Sequence, residues 1–137
     1  MRAVSATTRQ RLHDGLRRVC EGIADAHGLA VEVTIGEGYP VTVNDPDHTD
    51  RALCLVDEVL GAGHSFRMNR PSMGAEDFSF VLDRVPGAML FLGCTPHDRD
   101  FATAAANHSN RVVHDEEALR VGVALHAALA LSHVSGD

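Results

Sequence analysis

The stretch Ala88-Met89-Leu90-Phe91-Leu92-Gly93 decides the fold class. Its apolar run is too short for a helix and has no polar face, so it reads as a strand covered on both sides, the kind found in parallel sheets. Pro86-Gly87 lie just before it and end a helix expected over residues 76–85, with Phe78, Val81 and Leu82 packing. After it, residues 95–110 read as a long loop. Asp115 then caps a final helix running to about His133, and Glu116 and Glu117 suit the positive end of its dipole. Leu119, Val121, Val123, Leu125, Leu129 and Leu131 fall on nearly every side of that helix and predict deep burial. Helices around an apolar strand predict an α/β fold.

Upstream, residues 6–27 read as an amphipathic helix. Leu12, Leu16, Val19, Cys20 and Ile23 share a face, while Arg9, Arg11, Arg17, Arg18 and Glu21 fill the other. Ser5, Thr7 or Thr8 can supply the N-cap, and Gly28 follows the last turn, where positive φ is often needed. Ala30-Val31-Glu32-Val33-Thr34-Ile35 then alternates as a strand with Val31, Val33 and Ile35 buried. This helix, glycine and strand form one half of an α+β sandwich. Gly36-Glu37-Gly38-Tyr39-Pro40 marks a boundary. Beyond it come a short Val41-Thr42-Val43, a turn at residues 44–47, and a helix capped by Asp47, Thr49 or Asp50. That helix runs to about Leu60, with Ala52, Leu53, Val56, Val59 and Leu60 inward, and Gly61-Ala62-Gly63 stops it. Residues 64–74 read as irregular.

The 137 residues are 45% hydrophobic and 23% charged, as in an ordinary soluble domain. Asp and Glu outnumber the basic residues 19 to 12, a net charge of -7, which argues against nucleic acid. Every basic residue is Arg, so neither a Schiff-base lysine nor a phosphate-loop lysine is available. Aromatic residues are 4% and Trp is absent, which argues against base-stacking platforms. Cys20, Cys54 and Cys94 are widely spaced, as suits a reduced cytosolic chain. The stretch MRAVSATTRQRL has no signal-type apolar region, and no unbroken run of about 18 apolar residues occurs. The expectation is a cytoplasmic chain with no membrane segment.

Nine histidines invite a metal reading. His126 and His133 are two helical turns apart, about 10 Å, too far to share an ion whose ligands lie about 2 Å from it. His13 and His27 have no partner one turn on. His97-Asp98-Arg99-Asp100 is either a cation loop or a solvated charge run. His108 sits in Ala104-Ala105-Ala106-Asn107-His108-Ser109-Asn110, between a buried strand and a helix, where open α/β sheets gather ligands; an ordinary hydrogen-bonding histidine is the alternative. In Gly74-Ala75-Glu76-Asp77-Phe78-Ser79 the carboxylates either stabilise a helix start or sit beside a backbone N–H offered to an anion or metal site. No nucleophile elbow, dinucleotide fingerprint or phosphate loop occurs. A catalytic zinc wants three protein ligands and a base, and this chain offers one plausible ligand.

Several blocks in this order form a pattern: Arg2-Ala3-Val4, the Arg-rich helix, Gly28 with Val31-Glu32-Val33, Tyr39-Pro40-Val41-Thr42-Val43-Asn44-Asp45, Ser72-Met73-Gly74-Ala75-Glu76-Asp77-Phe78-Ser79, Asn107-His108-Ser109, and Asp115-Glu116-Glu117-Ala118-Leu119. The pattern resembles the C-terminal part of the two-metal amidohydrolases and aminoacylases, zinc-metallopeptidase relatives that include hippurate hydrolases, N-acyl-amino-acid deacylases and auxin-conjugate hydrolases. The resemblance implies that residues 1–37 are part of an α+β lid, or dimerisation, domain. Residues 38–137 would be the C-terminal segment of a catalytic domain with a mixed or parallel sheet. It implies His108 as a metal ligand, with Gly74, Glu76 and Asp77 as pocket or supporting residues. It further implies a divalent metal such as zinc or manganese, an N-acyl amino acid or small peptide-like substrate, and a homodimer through residues 6–35.

Two family blocks have no counterpart here: the histidine/cysteine block holding the other metal ligands, and the double-glutamate block holding the general base. Asn110 stands where a proline often follows the Asn-His-Ser triplet. The expectation is therefore a fragment with no catalytic residue of its own, inactive alone. A non-catalytic dimerisation module and one half of a split enzyme are the alternatives.

Overall fold

The computed structural model describes residues 1–135. Two compact units emerge: Met1–Asp45 with Arg67–Ala88, and Pro46–Phe66 with Met89–Asp137.

The first unit is built on α1, Ala6–Ala26. Ser5 starts it from an extended backbone, its Oγ accepting from the Thr8 N–H at 3.1 Å. This satisfies one of the N–H groups that a helix start leaves without a partner. The other end closes as a Schellman motif: Gly28 turns at φ 66, its N–H reaches Asp25 O at 3.1 Å, and the Leu29 N–H reaches Ala24 O at 2.9 Å. Long-range ties within the unit include guanidinium bonds to backbone. Arg9 donates to Tyr39 O at 2.9 Å and Gly38 O at 3.1 Å, and Arg2 donates to Met73 O at 2.6 Å. Tyr39 meets Phe80 edge to face with ring centroids 5.9 Å apart.

The second unit is built on α2, Pro46–Leu60, packed against α4, Glu117–Ser135. Pro46 opens α2, where its missing N–H costs nothing. Ala52 and Val56, one turn apart, are its buried residues. Gly61 and Gly63, at φ 96 and 88, stop it. Across the pair, Arg51 donates to Ser132 O at 2.5 Å and to Ser132 Oγ at 2.7 Å. Asp115 holds the start of α4, accepting from the Glu117 N–H at 3.0 Å.

Several expectations need correcting. The described residues contain four helices and no strand, so the sheet of the α/β reading does not appear. Residues 30–35 keep a trace of their alternation, with Val33 and Ile35 half-buried and Glu32 and Thr34 exposed, but Val31 is exposed. Phe91 in the run at 88–93 is 68% exposed, so that run is not covered on both faces. A strand exists only through inter-strand hydrogen bonds, and alternation alone cannot supply them. The helix expected at 76–85 shrinks to α3, Ser79–Leu82, flanked by turns. α4 is not deeply buried: none of its residues is, and Leu119 and Val123 are each 71% exposed. The apolar face of α1 is likewise open, with only Ala24 buried and Ile23 59% exposed. By length and composition alone α4 is also long and apolar enough to cross a bilayer, with a mean hydropathy of 1.3, although no unbroken apolar run spans it.

Candidate functional site

The Gly74–Ser79 turn and His108 belong to different units.

In the first unit the turn folds around Glu76. Its backbone carbonyl accepts from the Ser79 N–H at 3.3 Å and from Ser79 Oγ at 2.5 Å, and its Oε1 accepts from the Phe78 N–H at 3.3 Å. Ser79 is fully buried, and its hydroxyl is satisfied within the turn. Asp77 O accepts from the Phe80 N–H at 3.0 Å, which passes the chain into α3. Glu76 is half-buried, and Gly74 and Asp77 are exposed. The structure thus shows Glu76 closing its own turn, while the first turn of α3 carries no acidic residue. An ideal Cβ on Gly74 would lie 3.6 Å from Ser72 Oγ, an ordinary contact, so no close approach there demands glycine.

In the second unit His108 is the third residue of a turn whose ends join through the Ser109 N–H to Ala106 O at 2.8 Å. Ser109 Oγ accepts from the Arg111 N–H at 3.1 Å and fixes the exit. The ring of His108 is exposed. Beside this loop lies an open depression of about 390 Å³ lined by Arg99, Asp100, Thr103, Ala104, Ala105 and Arg111. Asp100 organises it by accepting from the Ala102 N–H through Oδ1 at 2.9 Å and from the Ala104 N–H through its carbonyl at 2.9 Å. The charged run at 97–100 therefore contains a turn former in Asp100. Sequence reasoning missed Arg99 and Arg111 as neighbours of one depression; their twelve-residue separation gave no periodic signal.

Among the described residues no group of three or more His, Cys, Asp or Glu is placed to hold a metal ion. One exposed imidazole does not make the coordination shell of a catalytic metal. The donors among the described residues therefore do not compose, by themselves, the two-metal site that the resemblance implies.

Comparison with known proteins gives these pieces a common frame. The model of peptidase family M20/M25/M40 matches residues 4–132, and the chain belongs to that family. It is 33% identical over 132 residues to thermostable carboxypeptidase 2 of Saccharolobus solfataricus, covering 96% of this chain and 32% of the relative. It is 26% identical over 134 residues to hippurate hydrolase of Campylobacter jejuni, covering 98% of this chain and 33% of the relative. With the IAA-amino acid hydrolase ILR1-like 6 of Arabidopsis thaliana it shares 34% identity over 92 residues, covering 67% of this chain and 19% of the relative. The chain spans about a third of the length of the first two relatives. No solved structure matches it.

Proposed function

We propose that this chain is the C-terminal portion of a metal-dependent amidohydrolase or peptidase that cleaves N-acyl amides of amino acids or small peptide-like substrates, and that it is inactive alone. The observation that carries this reading is the family match over residues 4–132, which runs through both the Gly74–Ser79 turn and the His108 loop. Relatives named as a carboxypeptidase and a hippurate hydrolase support an amide-cleaving chemistry. In this reading His108 is one ligand of a divalent metal, zinc or manganese. Gly74, Glu76 and Asp77 line or support the substrate pocket. The remaining ligands and the general base come from sequence outside these 137 residues.

Residues 1–37 then belong to a lid domain and residues 38–137 to the catalytic domain. The segments at 30–35 and 88–93 become strands when partner strands lie alongside them, and the intact enzyme is cytoplasmic. A second reading, a non-catalytic module that homodimerises through residues 6–35, is favoured by the open face of α1, where Leu12, Leu16, Val19 and Ile23 are all exposed. Sedimentation tests it: a monomer at high concentration would remove this second reading.

The primary test measures bound metal and hydrolysis of hippurate and other N-acyl amino acids by the purified chain. Sub-stoichiometric metal and no turnover above background are expected. Stoichiometric metal with turnover would overturn the inactive-alone reading. Co-expression with the first two-thirds of the Saccharolobus carboxypeptidase 2 is expected to restore hydrolysis that His108→Ala abolishes. Restored hydrolysis indifferent to His108→Ala would remove His108 from the metal site.

A further inference from the structure

We propose that Cys94 and His114 form a thiol–imidazole pair that makes Cys94 the site of thiol–disulfide exchange in this chain, with low-molecular-weight disulfides carrying neutral or cationic end groups as its reagents. The pair lies outside the Gly74–Ser79 turn and the His108 loop, and neither residue takes part in the function proposed above.

Cys94 Sγ and His114 Nδ1 are 3.2 Å apart, although twenty residues separate them in the chain. The approach is fixed by backbone. The Asp115 N–H donates to Cys94 O at 2.7 Å, which clamps the end of the 88–93 run beside the residue that follows His114. Asp115 in turn holds the start of α4 through its bond from the Glu117 N–H at 3.0 Å. The imidazole is thus delivered to the sulfur by a short clamp on a helix start. Cys94 is a free thiol, half-buried, and His114 is exposed, so a small reagent can reach the pair.

A nucleophile with a base at hydrogen-bond distance is the arrangement that activates a thiol. With the proton of the neutral ring on Nε2, the thiol donates to Nδ1. In the exchange the Cys94 S–H bond breaks and its proton passes to Nδ1. The thiolate sulfur attacks one sulfur of the disulfide RSSR. A bond forms between Cys94 and SR, the S–S bond of the reagent breaks, and RS⁻ leaves to collect the proton from the imidazolium. Cys94 is oxidised to a mixed disulfide, and the departing sulfur is reduced to a thiol. Asp115, Glu116 and Glu117 follow the pair directly and set the preference for neutral or cationic reagents over anionic ones.

The other two thiols are internal controls. Cys54 is exposed, and Cys20 is half-buried like Cys94. No histidine partner is found for Cys20 or Cys54 among the described residues. Exposure alone therefore predicts that Cys54 reacts first, whereas the pair predicts Cys94.

The test is site-resolved mass spectrometry of the full chain treated with cystamine at pH 7, timing mixed-disulfide formation at each cysteine. Cys94 is expected to react about tenfold faster than Cys54, a modest figure for general-base help because the pair is open to water. His114→Gln is expected to lower the Cys94 rate to that of Cys54 while leaving the Cys20 and Cys54 rates unchanged, which also reports that the variant is folded. A wild-type Cys94 rate equal to or below that of Cys54 overturns the proposal without any variant. A Cys94 rate unmoved by His114→Gln, with the controls also unmoved, overturns it as well.

Discussion

Residues 24–29 and residues 30–35 adjoin each other, and both carry clear sequence signals, yet only the first segment becomes regular structure. The end of α1 closes on itself, with the N–H groups of His27, Gly28 and Leu29 finding acceptors on Ile23, Ala24 and Asp25. The following segment alternates apolar and polar side chains and forms no ladder. Both have the same peptide groups; they differ in where the acceptors lie. A helix terminus is satisfied by residues a few positions back, whereas a strand depends on a chain segment that arrives from elsewhere. A local signal realises itself. A β signal is a statement about a neighbour.

Three substitutions probe this contrast. The largest effect is expected where the second unit depends on a non-local contact. Val56 is buried on α2, which packs against α4, so Val56→Asp places a carboxylate in an apolar contact. A loss of about 3 kcal/mol is expected from such a burial, read as a lower urea midpoint. An unmoved midpoint would mean that the α2–α4 contact does not hold the unit.

Next comes the local closure. Gly28→Val forces a β-branched residue to φ 66 and should cost about 1–2 kcal/mol. Faster hydrogen exchange at the Leu29 amide would register it. Unchanged protection there would remove the Schellman closure from the account of α1.

The smallest effect is expected at Thr34→Gly. In a paired strand interior such a change costs about 0.5–1 kcal/mol, and here none should be measurable in a melt of the chain. A loss in that range would reveal pairing at 30–35.

The same physical divide separates what the sequence disclosed from what it hid. A cap among Ser5, Thr7 and Thr8, the extent of α1, the stop at Gly61 and Gly63, and the positive φ at Gly28 were legible because each is settled within a few residues. The 88–93 run and the apolar wrap of α4 were misread as buried because burial belongs to the covering surface rather than to the run itself. At the candidate site, the Asn-His-Ser and Gly-Ala-Glu-Asp blocks carry the resemblance to the family, and both lie within the matched residues 4–132. The geometry around them was not legible: Glu76 bonding its own turn, Arg99 and Arg111 bordering one depression, and the Cys94–His114 contact all depend on how loops close.

The guanidinium ties have a further consequence. Arg2, Arg9 and Arg51 hold backbone carbonyls and a hydroxyl, acceptors without net charge. Dissolved ions that mask one full charge from another have little purchase on a cation lodged against a dipole at contact distance. In concentrated salt these fastenings should persist while the mutual repulsion of an acidic surplus, carried almost wholly by the second unit, fades, so brine should steady that unit rather than loosen it.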